Sequence, residues 1–141
     1  MDIAVDFDGT CVTHEFPEIG KEIGATPVLR RIVEHHNIIL FTMRSNGQEH
    51  GNVLDDAIEW FDERDIPLLG VQNNPHNDWS DSPKAYANLY IDDLALGCPL
   101  LHPVHGGRPY IDWGAVEKML TDKGVLPDSL ISETEIPRSS D

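Results

Sequence analysis

Met1-Asp2-Ile3-Ala4-Val5-Asp6-Phe7-Asp8-Gly9-Thr10 opens the chain, and its reading decides the fold. Met1 to Val5 is apolar apart from Asp2, includes two β-branched residues and runs into a polar, glycine-containing turn. That pattern predicts a buried strand of a parallel sheet. Two carboxylates, Asp6 and Asp8, stand where the strand ends.

Working outward, Val28, Leu29, Ile32 and Val33 fall at helical spacing within 26–36, with Thr26 as N-cap and Pro27 at the first helical position. Residues 38–42 predict a second buried strand ending at Thr42. A second helix follows over about 52–64, its apolar stripe formed by Val53, Leu54, Ala57, Ile58, Trp60 and Phe61. Residues 67–71 read as a third strand and 73–82 as a polar loop. Ser82-Pro83-Lys84 predicts a short helical turn, and Leu89 to Ile91 a fourth strand ending at Asp92-Asp93. The proline- and glycine-rich stretch 99–109 has room for an edge strand near 100–104. A last helix begins at Asp112 or Trp113 and runs to about Lys123, with Gly124 as its stop.

Strands alternating with helices give an α/β layer sandwich with a mostly parallel sheet. With no repeat or linker, the expectation is one domain over 1–127. The Ser-, Glu- and Asp-rich stretch 128–141 is expected to be a flexible tail.

The chain has 141 residues, long enough to bury a core without disulfides or metals as staples. Its formal charge is -15, from 25 acidic and 10 basic residues. That surplus disfavours nucleic-acid and anionic-membrane partners. No apolar run approaches the roughly 20 residues of a membrane span. The chain goes straight into a strand pattern, so no signal peptide and a cytoplasmic location are expected. Cys11 and Cys98 match no metal-ligand spacing and read as reduced, packed thiols.

In open α/β sheets, function gathers beyond the carboxyl ends of the strands. There the predicted strands place Asp6 with Asp8, then Thr42, then Asp92 with Asp93. Carboxylates crowded at one sheet edge call for a cation, and hard oxygen ligands suit Mg²⁺. One carboxylate of Asp6-x-Asp8 can attack phosphorus, while the other protonates the leaving oxygen and later deprotonates a water. Gly9 permits a tight turn whose N–H groups could face a phosphate. Thr42 can donate to a phosphate oxygen, and Lys84 can neutralise transition-state charge.

These residues, in this order, resemble the four motifs of the haloacid dehalogenase superfamily. Asp6-Phe7-Asp8-Gly9-Thr10 resembles the first, the strand ending at Thr42 the second, Lys84 the third, and Asp92-Asp93 after Tyr90-Ile91 the fourth. The resemblance implies a Rossmann-like three-layer domain with a squiggle-and-flap element after the first strand. It implies a phosphohydrolase working through an aspartyl-phosphate on Asp6. Mg²⁺ would be held by Asp6, the Asp8 carbonyl oxygen and Asp92, with Asp93 acting through a water or orienting the site. Asp8 favours phosphoryl transfer, because the dehalogenase branch lacks this second acid. Only 35 residues separate Asp6 from Thr42, too few for a substantial cap domain.

The expected catalytic residues are Asp6, Asp8, Thr42 and Lys84. Gly9, Thr10, Met43 and Arg44 are expected to meet substrate, and Asp6, Asp8, Asp92 and Asp93 to hold metal. The expected substrate is a nucleotide or other small phosphorylated metabolite, and an open site leaves room for a homo-oligomeric neighbour. Non-hydrolytic binding and phosphotransfer are the alternatives. Arg44 could equally be a solvated loop residue; His14, His50, His76 and Trp79 could line the site or lie on the surface. His102 and His105 lack the partners of a transition-metal site.

Overall fold

A computed structural model describes residues 1–128, so the expected tail lies, but for Asp128, outside the described residues. In chain order the elements are β1 (Asp2–Val5), α1 (Ala25–His35), β2 (Asn37–Leu40), α2 (Val53–Glu63), β3 (Gly70–Val71), β4 (Leu89–Ile91), β5 (Leu100–Leu101), β6 (Tyr110–Ile111) and α3 (Trp113–Asp122). The main sheet has four parallel strands in the order β3-β2-β1-β4, and β5 and β6 form an antiparallel hairpin. This is the α/β, Rossmann-like sandwich expected, and the described residues include no cap domain.

Register sets the two faces. Val5 is level with Leu40 and Ile91, and Ile3 with Ile38 and Leu89. Because side chains alternate across a strand, these residues share one face, and apolar residues of α1, α2 and α3 join them in one cluster. Phe7 is fully buried there, edge-on to Trp60 at 5.6 Å. Truncating such a ring to Ala costs about 3–5 kcal/mol.

The opposite face carries Ala4, Ile39 and Tyr90. It is covered by the irregular segment 73–88, in which Ala85 and Ala87 are buried. Tyr90 Oη donates to the Ala85 carbonyl at 2.6 Å. At the amino end of β1, Asp2 ties that segment down, accepting from Asn74 Nδ2 at 3.0 Å and lying 3.0 Å from His76 Nδ1. The third layer is therefore a strapped loop, and Ser82-Pro83-Lys84 forms no helical turn.

Helix starts differ from the sequence signals in instructive ways. α1 begins at Ala25 after Gly24, whose φ is 90°, so Thr26 is not the cap. Thr26 instead donates to Glu22, and Pro27 sits inside the first turn, where no backbone donor is needed. At α2 the remote Asn46 Oδ1 accepts from the Leu54 and Asp55 amides, doing what Asn52 does not. Asp112 caps α3 by accepting from the Ala115 amide at 3.1 Å.

Candidate active site

β1 delivers its last residues to the carboxyl end of the sheet, where the Asp6 amide donates to the Ile91 carbonyl at 3.0 Å. Phe7 turns into the core, leaving Asp6 and Asp8 toward a cleft of about 440 Å³. Thr42, Met43, Asp92 and Asp93 line the same cleft. No helix of the described residues is long and apolar enough to cross a membrane.

Gly9 has φ of +82°, and a Cβ there would overlap the His14 ring and the Asp93 carboxylate. Its role differs from the one expected, because its amide donates to the Val12 carbonyl at 2.7 Å and the Thr10 amide to Phe7 at 3.1 Å. Both N–H groups close the turn and do not face the cleft as anion donors. Thr10, expected to meet substrate, is fully buried and does not line the cleft. Its hydroxyl donates to Asp6 at 2.9 Å and accepts from the Asp93 amide at 3.0 Å, binding the first strand end to the fourth. Trp113 Nε1 fixes this hinge by donating to the Thr10 carbonyl at 2.7 Å.

One carboxylate oxygen from each of Asp6, Asp92 and Asp93 falls within 4.8 Å of the others. Burial pushes the Asp6 carboxyl up to about 7, helped by the charges of Asp92 and Asp93 and opposed by the hydrogen bonds from Thr10 and the Phe7 amide. Three carboxylates clustered in this way fit a hard divalent cation. His14 Nε2 lies 2.8 Å from Asp93 Oδ2 and holds the third carboxylate in place. The metal contact expected of Asp8 is its carbonyl oxygen, and its carboxylate stands outside this cluster.

Arg44 accounts for that. Expected to meet substrate, Arg44 borders the cleft but is only 2% exposed, and it donates through Nε and Nη2 to the two Asp8 oxygens, each at 2.8 Å. Its remaining donors reach the carbonyls of Val53 and Glu18, both at 2.9 Å, and Pro17 at 3.4 Å. Phe7 and Phe16 sandwich the guanidinium at 5.0 and 5.1 Å. Thr42 keeps its hydroxyl proton available, since Oγ1 accepts from the Arg44 amide at 3.1 Å. Gln72 holds the Thr42 loop, accepting from the Thr42 amide at 2.9 Å and donating to its carbonyl at 2.6 Å.

Lys84 is not at the cleft. The segment that carries it lies over the sheet's second face, and its ammonium sits 5.2 Å from the Tyr90 ring centroid. It lines a separate groove with Trp79 and Tyr86, so Trp79 also stands away from the carboxylates. His76 is at the amino end of β1 with Asp2, and His50 packs on Phe16 at 5.0 Å without lining the cleft. Among the four residues left open, only His14 reaches it. Sequence reasoning missed Gln72, Phe16, Leu94 and Arg108; the last three line the cleft. A Gly-Gly-Arg-Pro turn in a chain with few cations was the available signal for Arg108.

No family model and no curated protein matches the chain. A solved structure does: a conserved protein from Bacteroides thetaiotaomicron is similar at 37% identity with a TM-score of 0.67. The match covers 87% of this chain and 91% of that one.

Proposed function

We infer that this chain, which belongs to the family of the conserved Bacteroides thetaiotaomicron protein, is a Mg²⁺-dependent phosphomonoesterase that transfers a phosphoryl group to Asp6. The observation that carries the reading is Asp6 itself. It directly follows the central strand β1, faces an open cleft and shares a carboxylate cluster with Asp92 and Asp93. The resemblance of its motifs to the haloacid dehalogenase superfamily supports the same chemistry.

Asp6, Asp92 and Asp93 would hold the Mg²⁺, which when bound offsets their charge and that of a phosphate. An Asp6 oxygen attacks phosphorus, the bond to the leaving oxygen breaks, and that oxygen takes up a proton. Water then attacks the phosphorus of the aspartyl-phosphate, releasing inorganic phosphate and restoring Asp6. Asp8, which Arg44 orients, would supply the first proton and remove the second. Thr42 donates to a phosphate oxygen.

The acidic chain disfavours phosphate ends on nucleic acid, which leaves a small phosphorylated metabolite such as a nucleotide, and the free thiols of Cys11 and Cys98 suit a reducing cytoplasm. The test is phosphate release across a panel of phosphomonoesters, with Mg²⁺ and with chelator. Mg²⁺-dependent release supports the reading. Saturable phosphate binding without turnover would instead favour a non-hydrolytic binding protein, a reading that the displaced Lys84 keeps in view.

A further inference from the structure

The cleft brings Asp6, Asp8, Asp92 and Asp93 together, and a phosphate entering it adds further negative charge. Two basic side chains beside these carboxylates already have partners. Arg44 grips Asp8, and His14 pairs with Asp93. Lys84 is on another face. Arg108 also lines the cleft, is exposed, and has no hydrogen bond or ion pair to another described residue.

The hairpin that carries Arg108 is fastened to the turn after β1. The Ile111 amide donates to the Gly9 carbonyl at 3.0 Å, and the Asp112 amide to the Pro99 carbonyl at 2.9 Å. Leu101 pairs with Tyr110, which fixes the second arm. At the tip, Gly106 and Gly107 have φ of 90° and 103°, conformations that glycine reaches without strain. Pro109 then restricts Arg108 to extended backbone. A fastened base and a reversing tip thus present the guanidinium at the cleft from a hairpin bonded to the turn that follows the proposed nucleophile.

We propose that Arg108 is the cation that grips the substrate's phosphoryl group, in the place the sequence had suggested for Lys84. The assignment rests on the reading that phosphate occupies this cleft. A guanidinium fork offers two parallel N–H donors to two phosphate oxygens, a planar geometry that an ammonium lacks. Because Arg108 supports no other described side chain, its removal leaves the fold in place.

Calorimetric titration of inorganic phosphate into the full chain with Mg²⁺ tests this, using the native protein, Arg108→Ala, Arg108→Lys and Lys84→Ala. Arg108→Ala should weaken phosphate binding about 10- to 100-fold, the loss of a charge-assisted hydrogen-bonding pair. Arg108→Lys should fall between it and the native chain, and Lys84→Ala should bind as the native chain does. Native affinity in Arg108→Ala, or a loss carried by Lys84→Ala, would overturn the assignment. No phosphate binding by the native chain would overturn it together with the hydrolase reading. An Arg108-dependent affinity in a protein that turns nothing over would uphold the assignment and overturn hydrolysis alone.

Discussion

Arg44 closes on Asp8 as a two-pronged clamp, with Nε and Nη2 each 2.8 Å from a different carboxylate oxygen. The clamp is itself immobilised, because its other donors reach backbone carbonyls of the 17–18 loop and the start of α2. One side chain therefore ties the turn after β1 to the loop after β2, and it sets the direction in which Asp8 points.

Arg44→Ala should cost about 3–5 kcal/mol of stability, the usual penalty for removing one partner of a buried ion pair. Arg44→Lys should recover only part of this, since an ammonium cannot fill the fork. Urea unfolding measures both. A midpoint unchanged in Arg44→Ala would show that the clamp contributes nothing.

The Asp6 carboxyl gives a pH signature in metal-free protein. Its folded value of about 7 stands above the ordinary 3.8, raised by burial and then by Asp92. Between those values the folded state holds a proton that the unfolded chain has lost. This group's contribution therefore makes stability fall as pH rises from about 4 to 7. Asp6→Asn should flatten that slope in urea midpoints taken with chelator across the range. An equally steep decline in the variant would assign the slope to other groups.

His14 holds Asp93 at 2.8 Å without belonging to the carboxylate cluster. Outer partners of this kind orient ligands, and losing one weakens metal binding by about tenfold or more. His14→Ala should show that loss in a Mg²⁺ titration followed by thermal stabilisation. Native Mg²⁺ affinity in the variant would show that Asp93 keeps its place unaided.

Gly9→Ala should destabilise the fold by about 1–3 kcal/mol, because its φ of +82° strains any other residue. The added Cβ would also push on His14 and Asp93, so Mg²⁺ affinity should fall as well. A variant with native stability and native Mg²⁺ binding would contradict this account of the turn.

The strand ends were legible because each is announced locally. A short apolar run stops at a carboxylate or a threonine, and period and composition suffice to place Asp6, Asp8, Thr42 and Asp92 at one edge. Lys84 was not legible. Its position depends on segment 73–88 being strapped across the sheet by Asn74, His76 and Tyr90, contacts made with partners remote in sequence. The roles of Arg44 and Thr10 were hidden for the same reason. A cation two residues past Thr42 looks like a substrate ligand until the carbonyls around it are known. The β5–β6 hairpin pairs only two residues per strand, too short for alternation to reveal, so Arg108 stayed out of view.

Whether Asp6 is the nucleophile is decided by phosphate release from the native chain and from Asp6→Asn, measured side by side with saturating Mg²⁺. The native chain should release phosphate in a Mg²⁺-dependent manner, and Asp6→Asn should stay folded and release none. Turnover by Asp6→Asn equal to that of the native chain would contradict that role for Asp6.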